Sequence, residues 1–290
     1  MRWIPGGRSR NLDDQRGGSP SGFGGGGFGG GGARLGIGGM LVLIVLSVVF
    51  KRDLVSEFGG GAPSGAVAPA TGGTANGAIT DAGEENMVQF VSFVLDSTQA
   101  TWHRLIPQYT DARLTLFREA VNSACGFAQA ASGPFYCPGD RKVYVDLAFF
   151  EQLNREFGAP GDFAQAYVLA HEIGHHVQNL VGTEREMRTA QQQNPGQAKQ
   201  LSVAMELQAD CYAGVWANSA AKSGYLETGD VDEGLRAAAA VGDDRLQKMA
   251  TGRVSPESFT HGSSADRSAW FKRGFETGDP NKCDTFGSRR

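Results

Sequence analysis

The sequence predicts an α+β, mostly helical domain that follows a structureless tail and one transmembrane helix. Three observations predict it. Beyond residue 84, apolar residues recur at helical spacing, as at Met87, Val91, Val94, Leu95 and Trp102. Two short runs, Leu114–Phe117 and Lys142–Asp146, read as strands. Between Ala170 and Leu180 the chain reads AHEIGHHVQNL, which places His171, Glu172 and His175 in an H-E-x-x-H pattern.

The chain is 290 residues long with a net charge of −4, which argues against a general nucleic-acid or anionic-membrane binder. Met1 to Gly32 carries Gly24–Gly27 and Gly29–Gly32 runs and few apolar residues, so it is expected not to fold. A flexible cytoplasmic tail, residues 1–34, is favoured over a glycine-rich nucleic-acid-binding tail. Leu35–Phe50 is 16 residues without a charge, flanked by Arg34 and Lys51, which can snorkel to the headgroups. No small-residue cleavage site follows it, so residues 35–52 read as an uncleaved signal anchor in the lipid membrane. Arg2, Arg8, Arg10, Arg16 and Arg34 precede the span. The positive-inside rule therefore places the N-terminus in the cytoplasm and the rest outside a bacterial inner membrane. Residues 53–83, rich in Gly, Ala and Pro, read as a stalk, and residues 84–290 as the folded domain.

Cys125, Cys137, Cys211 and Cys283 all lie beyond the span, an even number suited to two disulfides in an exported domain. Three pairings are open. Cys125–Cys137, closing a short loop, and Cys211–Cys283, tying the C-terminal tail to a helix, are favoured. Within the domain Glu84–His103 and Phe149–Phe157 are expected to be helical, with a stapled loop around Cys125–Cys137. Asp162 is expected to N-cap the helix carrying the motif. Glu184–Gln200 reads as a solvated connector, Val203–Ala217 as a helix, and Val231–Ala250 as one packed helix. Ser263 or Ser264 is expected to N-cap a last helix bearing Trp270, Phe271 and Phe275.

On a helix His171 and His175 lie on one face and can share an ion, with Glu172 beside them as a general base. Glu206 and Asp210 stand four apart on an otherwise apolar helix, where carboxylates need water or a strong partner. Glu206 therefore reads as the third ligand of one catalytic Zn²⁺. Asp210 would accept the second ring N–H of a ligand histidine and fix its tautomer. His261 or Arg267 could donate to an oxyanion. His176 reads as structural, and Asp243 and Asp244 as surface or capping residues.

AYVLAHEIGHHVQNLVG followed by ELQADCYAGVWA, with GPFYCPGDRKVYVD before and FTHGSSADRSAWFKRGFETGD after, resembles the bacterial neutral zinc metallopeptidase family. That family looks like a branch of the gluzincins, the zincins whose third ligand is a Glu on a second helix. The resemblance covers about Glu84 to Cys283, plus the basic, glycine-rich, single-span start. The Glu206-to-Asp210 pattern is similar to that of thermolysin-like gluzincins, although the gap from His175 to Glu206 is longer here. The resemblance implies a zincin-like domain that hydrolyses peptide or protein substrates, with endopeptidase action expected. Lys142–Asp146 is the expected edge strand that would grip an extended peptide. The alternative from another class is a non-catalytic, zinc-stabilised peptide-binding scaffold in the cell envelope.

Overall fold

The computed structural model describes residues 1–17 and 82–287. The α+β, mostly helical class holds among them. Helix α1, Ala82–Leu105, buries Val88, Val91, Val94, Leu95 and Trp102 on one stripe. Glu84 and Glu85 in its first turn and His103 and Arg104 in its last complement the helix dipole.

Among the described residues six strands run in the order β1 Leu12–Asp14, β2 Arg113–Phe117, β3 Ala120–Ser123, β4 Gly126–Gln129, β5 Phe135–Cys137 and β6 Lys142–Asp146. Four of them make one sheet in the order β1-β2-β6-β5. β1 and β6 flank β2 in parallel, and β5 runs antiparallel to β6. The expected edge strand, Lys142–Asp146, is therefore an interior strand with partners on both sides. Among the described residues, β5 is the free edge beside the helix Asp162–Val181. The expected loop around Cys125–Cys137 instead contains the β3–β4 hairpin as well as β5. Its composition of Gly and Pro marked the turns but hid the short pairings between them.

The expectation that residues 1–34 are a disordered tail does not hold for residues 1–17. Leu12–Asp14 pairs with Leu114–Leu116, and Met1 is buried in the main core. The Met1 ammonium contacts Asp162 at 2.6 Å and Asp230 at 3.3 Å. Arg16, also buried, bridges Asp14 and Glu84. Composition missed this because the glycine runs lie later; Met1, Trp3, Leu12 and Arg16 each do separate packing work. Residues 18–81, which include the expected span and most of the stalk, lie outside the described residues. Among the described residues no helix is long and apolar enough to cross a membrane.

Helices α2 Ala148–Arg155 and α3 Asp162–Val181 follow the sheet. α3 is buried along most of its length and ends at Gly182, whose φ of 89° suits glycine. Its N-cap is Gly161, not Asp162. Asp162 is the first helical residue, and Glu233 accepts the Phe163 N–H at 3.2 Å. The expected connector after Gly182 forms helix α4, Thr183–Gln193, which has no buried residue. Helix α5 spans Ala198–Lys222. The expected single helix over Val231–Ala250 is two, α6 Asp230–Ala240 and α7 Asp243–Thr251, broken at Gly242. A Cβ at Gly242 would lie 2.4 Å from the Ser264 nitrogen, so the break lets the next segment pass. Helix α8, Ser264–Thr277, is capped by Ser263, whose hydroxyl accepts the Asp266 N–H.

Two disulfides close the favoured pairs, Cys125–Cys137 and Cys211–Cys283. Close helix crossings depend on glycines. A Cβ on Gly274 of α8 would sit 1.9 Å from the Cys211 carbonyl oxygen of α5. Gly174 of α3 meets Ala209 of α5 in the same way, at 3.0 Å from its carbonyl oxygen. That second approach brings the H-E-x-x-H helix and the Glu206 helix together.

Candidate metal centre

Helical spacing stacks His171 and His175 on one face of α3, with ring centroids 4.8 Å apart. Across the Gly174–Ala209 contact, α5 presents Glu206. Its carboxylate lies 3.3 Å from His171 Nε2 and 3.6 Å from His175 Nε2. One donor atom from each of the three residues falls within 4.8 Å of the other two. Two imidazole nitrogens and one carboxylate oxygen are a donor set that suits zinc and leaves a fourth position for water or substrate. The residues present therefore fit the ion.

The electrostatics point the same way. Burial disfavours ionising Glu206, but the facing imidazoles of His175 and His171 hold its carboxyl well below its usual range. Burial likewise disfavours a charged His171, yet Asp210 and Glu206 outweigh it and push the imidazole up to about 10. The pocket is thus built to hold positive charge.

Asp210, one helical turn beyond Glu206 on α5, accepts from His171 Nδ1 at 2.8 Å. That bond directs the Nε2 lone pair towards Glu206. Asp210 is fully buried and also accepts from Tyr167 and, in a two-pronged contact, from Arg267 at 2.8 and 3.0 Å. Burial opposes its ionisation, but Arg267 and His171 hold its carboxyl below the usual range. Arg267 is consumed in this contact and in a bond to the Val241 carbonyl. It is a support for Asp210, with its Nη2 3.9 Å from the Glu206 carboxylate.

Glu172 is buried, and burial raises its carboxyl above its usual range. Among the smaller influences, the Tyr136 backbone N–H of strand β5 favours the charged form. His176 is fully buried and structural: Nε2 donates to the Thr110 carbonyl at 2.7 Å, and Nδ1 faces the Tyr136 hydroxyl at 3.0 Å.

His261 lies in the loop before α8, near enough to Glu206 for their charges to interact. Its Nδ1 is 3.1 Å from Asp243. The other Asp243 oxygen accepts the backbone N–H groups of Thr260, His261 and Gly262 at 2.7, 2.6 and 3.0 Å. Of the expected surface or capping roles, Asp243 fills the second: it is buried and gathers the N–H groups of the loop that presents His261. Gln178 and Gln208, buried between α3 and α5, were also not anticipated. Gln178 stands three residues after His175, a spacing that could have signalled it. The links from Arg267 and Asp243 to the site span long stretches of chain, and no local pattern announces them.

The family model described as "Putative neutral zinc metallopeptidase" matches residues 1–286. The chain is 44% identical to the uncharacterized protein YpfJ of Escherichia coli K12 over 295 residues, covering 99% of each. It is 48% identical to the uncharacterized protein Rv2575 of Mycobacterium tuberculosis H37Rv over 204 residues, covering 67% of this chain and 68% of that one. No solved structure matches. With the match running from its first residue nearly to its last, the chain belongs to the neutral zinc metallopeptidase family.

Proposed function

We propose that the chain is a zinc-dependent peptidase acting on internal bonds of peptide or protein substrates. One observation carries the reading: His171, His175 and Glu206 converge while the buried carboxyl of Glu172 stands beside them. Zinc held by those three residues would polarise a scissile carbonyl and make a water easier to deprotonate. Glu172 takes the proton from the attacking water and later delivers it to the leaving amine nitrogen, so the peptide C–N bond breaks with no net proton change. Its raised pKa suits both halves of that task. The Tyr136 N–H steadies the carboxylate. His261 donates to the oxyanion, with Asp243 orienting its ring. Strand β5, the free edge beside α3, aligns an extended substrate by backbone pairing, in place of the interior strand Lys142–Asp146. Gripping backbone rather than a terminus accords with endopeptidase action.

Glu172→Gln in the purified full-length chain is expected to keep one zinc per molecule while lowering kcat on an unfolded protein substrate by about 10²–10⁴-fold. Cleavage undiminished in the zinc-loaded variant would show that Glu172 is not the base.

We further place the domain outside the bacterial cytoplasmic membrane. The two disulfides support that compartment. Because β1 hydrogen-bonds β2, residues 1–17 lie on the domain's side, which is at odds with the expected single-pass topology and its cytoplasmic N-terminus. Protease added to intact spheroplasts is expected to remove a C-terminal tag; a tag that survives until lysis places the domain in the cytoplasm.

A further inference from the structure

The two ligand histidines are held in different ways, and the support of His175 has no charged group in it. His175 Nδ1 is 2.8 Å from Gln178 Oε1. Gln178 Nε2 donates to the Met205 carbonyl at 2.8 Å and to Gln208 Oε1 at 3.1 Å. Gln208 Nε2 donates to the Cys283 carbonyl at 2.9 Å. Both amides are buried, Gln178 completely, so each polar atom needs a partner.

The direction of this chain of bonds is fixed by its ends. The Met205 and Cys283 carbonyls can only accept. Gln178 must therefore turn its NH₂ towards Met205, which turns its oxygen towards His175. Gln208 must turn its NH₂ towards Cys283, which turns its oxygen towards Gln178. His175 Nδ1 then faces an oxygen that can only accept, so it carries the hydrogen. The Nε2 lone pair is left facing Glu206. Met205 directly precedes Glu206, so the same amide also ties the Glu206 helix to the His175 helix. The far end is tied down as well: Cys283 is buried and bonded to Cys211 on α5, and the Cys283 N–H bonds the Pro280 carbonyl.

We propose that Gln178 and Gln208, ending on the Cys283 carbonyl, are positioning residues that set the tautomer and aim of His175. The Cys211–Cys283 disulfide serves as the clamp that keeps the terminal acceptor in place. The C-terminal tail is thereby part of the metal centre without touching the ion. The inference rests on the reading of His171, His175 and Glu206 as zinc ligands.

The test uses the full-length protein and the variants Gln178→Met, Gln208→Met, the double variant Cys211→Ser with Cys283→Ser, and His175→Ala. Zinc affinity is measured by competition with a chromophoric chelator. The His175 tautomer is read from ¹⁵N-histidine NMR of the zinc-free protein, and thermal unfolding in chelator checks the fold. Gln178→Met and Gln208→Met are each expected to weaken zinc binding about 10–100-fold, the range for losing a ligand's supporting hydrogen bond. Gln178→Met should also lose the Nδ1–H signal of His175, and both variants should remain folded in chelator. The double serine variant is expected to shift affinity in the same direction by a smaller factor. If both glutamine variants bind zinc within twofold of the parent and keep the Nδ1–H signal, the relay does not position His175. Should Gln208→Met fail to fold, Gln178→Met decides alone. If His175→Ala binds zinc as tightly as the parent, it is the metal-centre reading that fails.

Discussion

His171 and His175 stand one turn apart on the same helix, yet one rests on buried charge and the other on neutral amides. His171 leans on Asp210, which is itself held by Arg267 and Tyr167. His175 leans on Gln178 and, through it, on Gln208 and the Cys283 carbonyl. Each support leaves the Nε2 lone pair free for an ion, but they differ in what they risk. A buried ion pair costs desolvation on both sides and is dangerous to break, because the surviving partner is left charged and unmatched. A chain of amides costs less to bury, and its loss strands a carbonyl rather than a charge. The charged support also raises the negative field around the site, which the neutral one does not. One histidine is thus tuned and the other mainly aimed.

The sharpest way to break this contrast is Asp210→Ala. It leaves the Arg267 guanidinium buried with the Val241 carbonyl, the Tyr167 hydroxyl, His171 Nδ1 at 3.4 Å and a distant Glu206 at 3.9 Å, and no close carboxylate. Removing one partner of such a pair is expected to cost about 3–5 kcal/mol of folding stability. Zinc affinity should fall as well. Denaturant unfolding in chelator measures the first, chelator competition the second. If the variant is no less stable than Gln208→Met in the same assay, the two supports are energetically alike and the distinction is empty.

What the sequence made legible follows helical spacing and pairwise chemistry. His171, Glu172 and His175 lie within five residues, and Glu206 and Asp210 declared themselves by being carboxylates on an apolar helix. The two favoured disulfides came from counting cysteines and loop lengths. Illegible were the contacts that only the tertiary approach creates. Nothing in FTHGSS says that Asp243, at the start of another helix, gathers three of that loop's N–H groups. Nothing in KVYVD says that it lies inside the sheet, since β1 and β5, which flank the sheet, are only three residues each. Residues 1–17 were misread for a related reason. A composition average cannot see that Leu12 and Met1 find partners at Leu114 and Asp162.

The smallest expected effect concerns His261, whose support mixes both styles: a buried carboxylate that also gathers neutral backbone donors. Burial disfavours the His261 imidazolium, but the hydrogen bond to Asp243 and the charge of Glu206 outweigh it and raise its pKa above the usual histidine value. If the protonated ring donates to the oxyanion, activity is full below that pKa and falls as pH rises through it. Asp243→Asn removes the neighbouring charge and keeps one oxygen to accept the loop N–H groups. The His261 pKa should therefore drop, and the basic limb of kcat/KM should move to lower pH, with the acidic limb unchanged. Stability should fall by only about 0.5–1.5 kcal/mol, since a hydrogen bond is weakened and no charge is left unmatched. A basic limb that stays in place, in a variant that still binds zinc, would mean that Asp243 shapes the loop without setting the charge of His261.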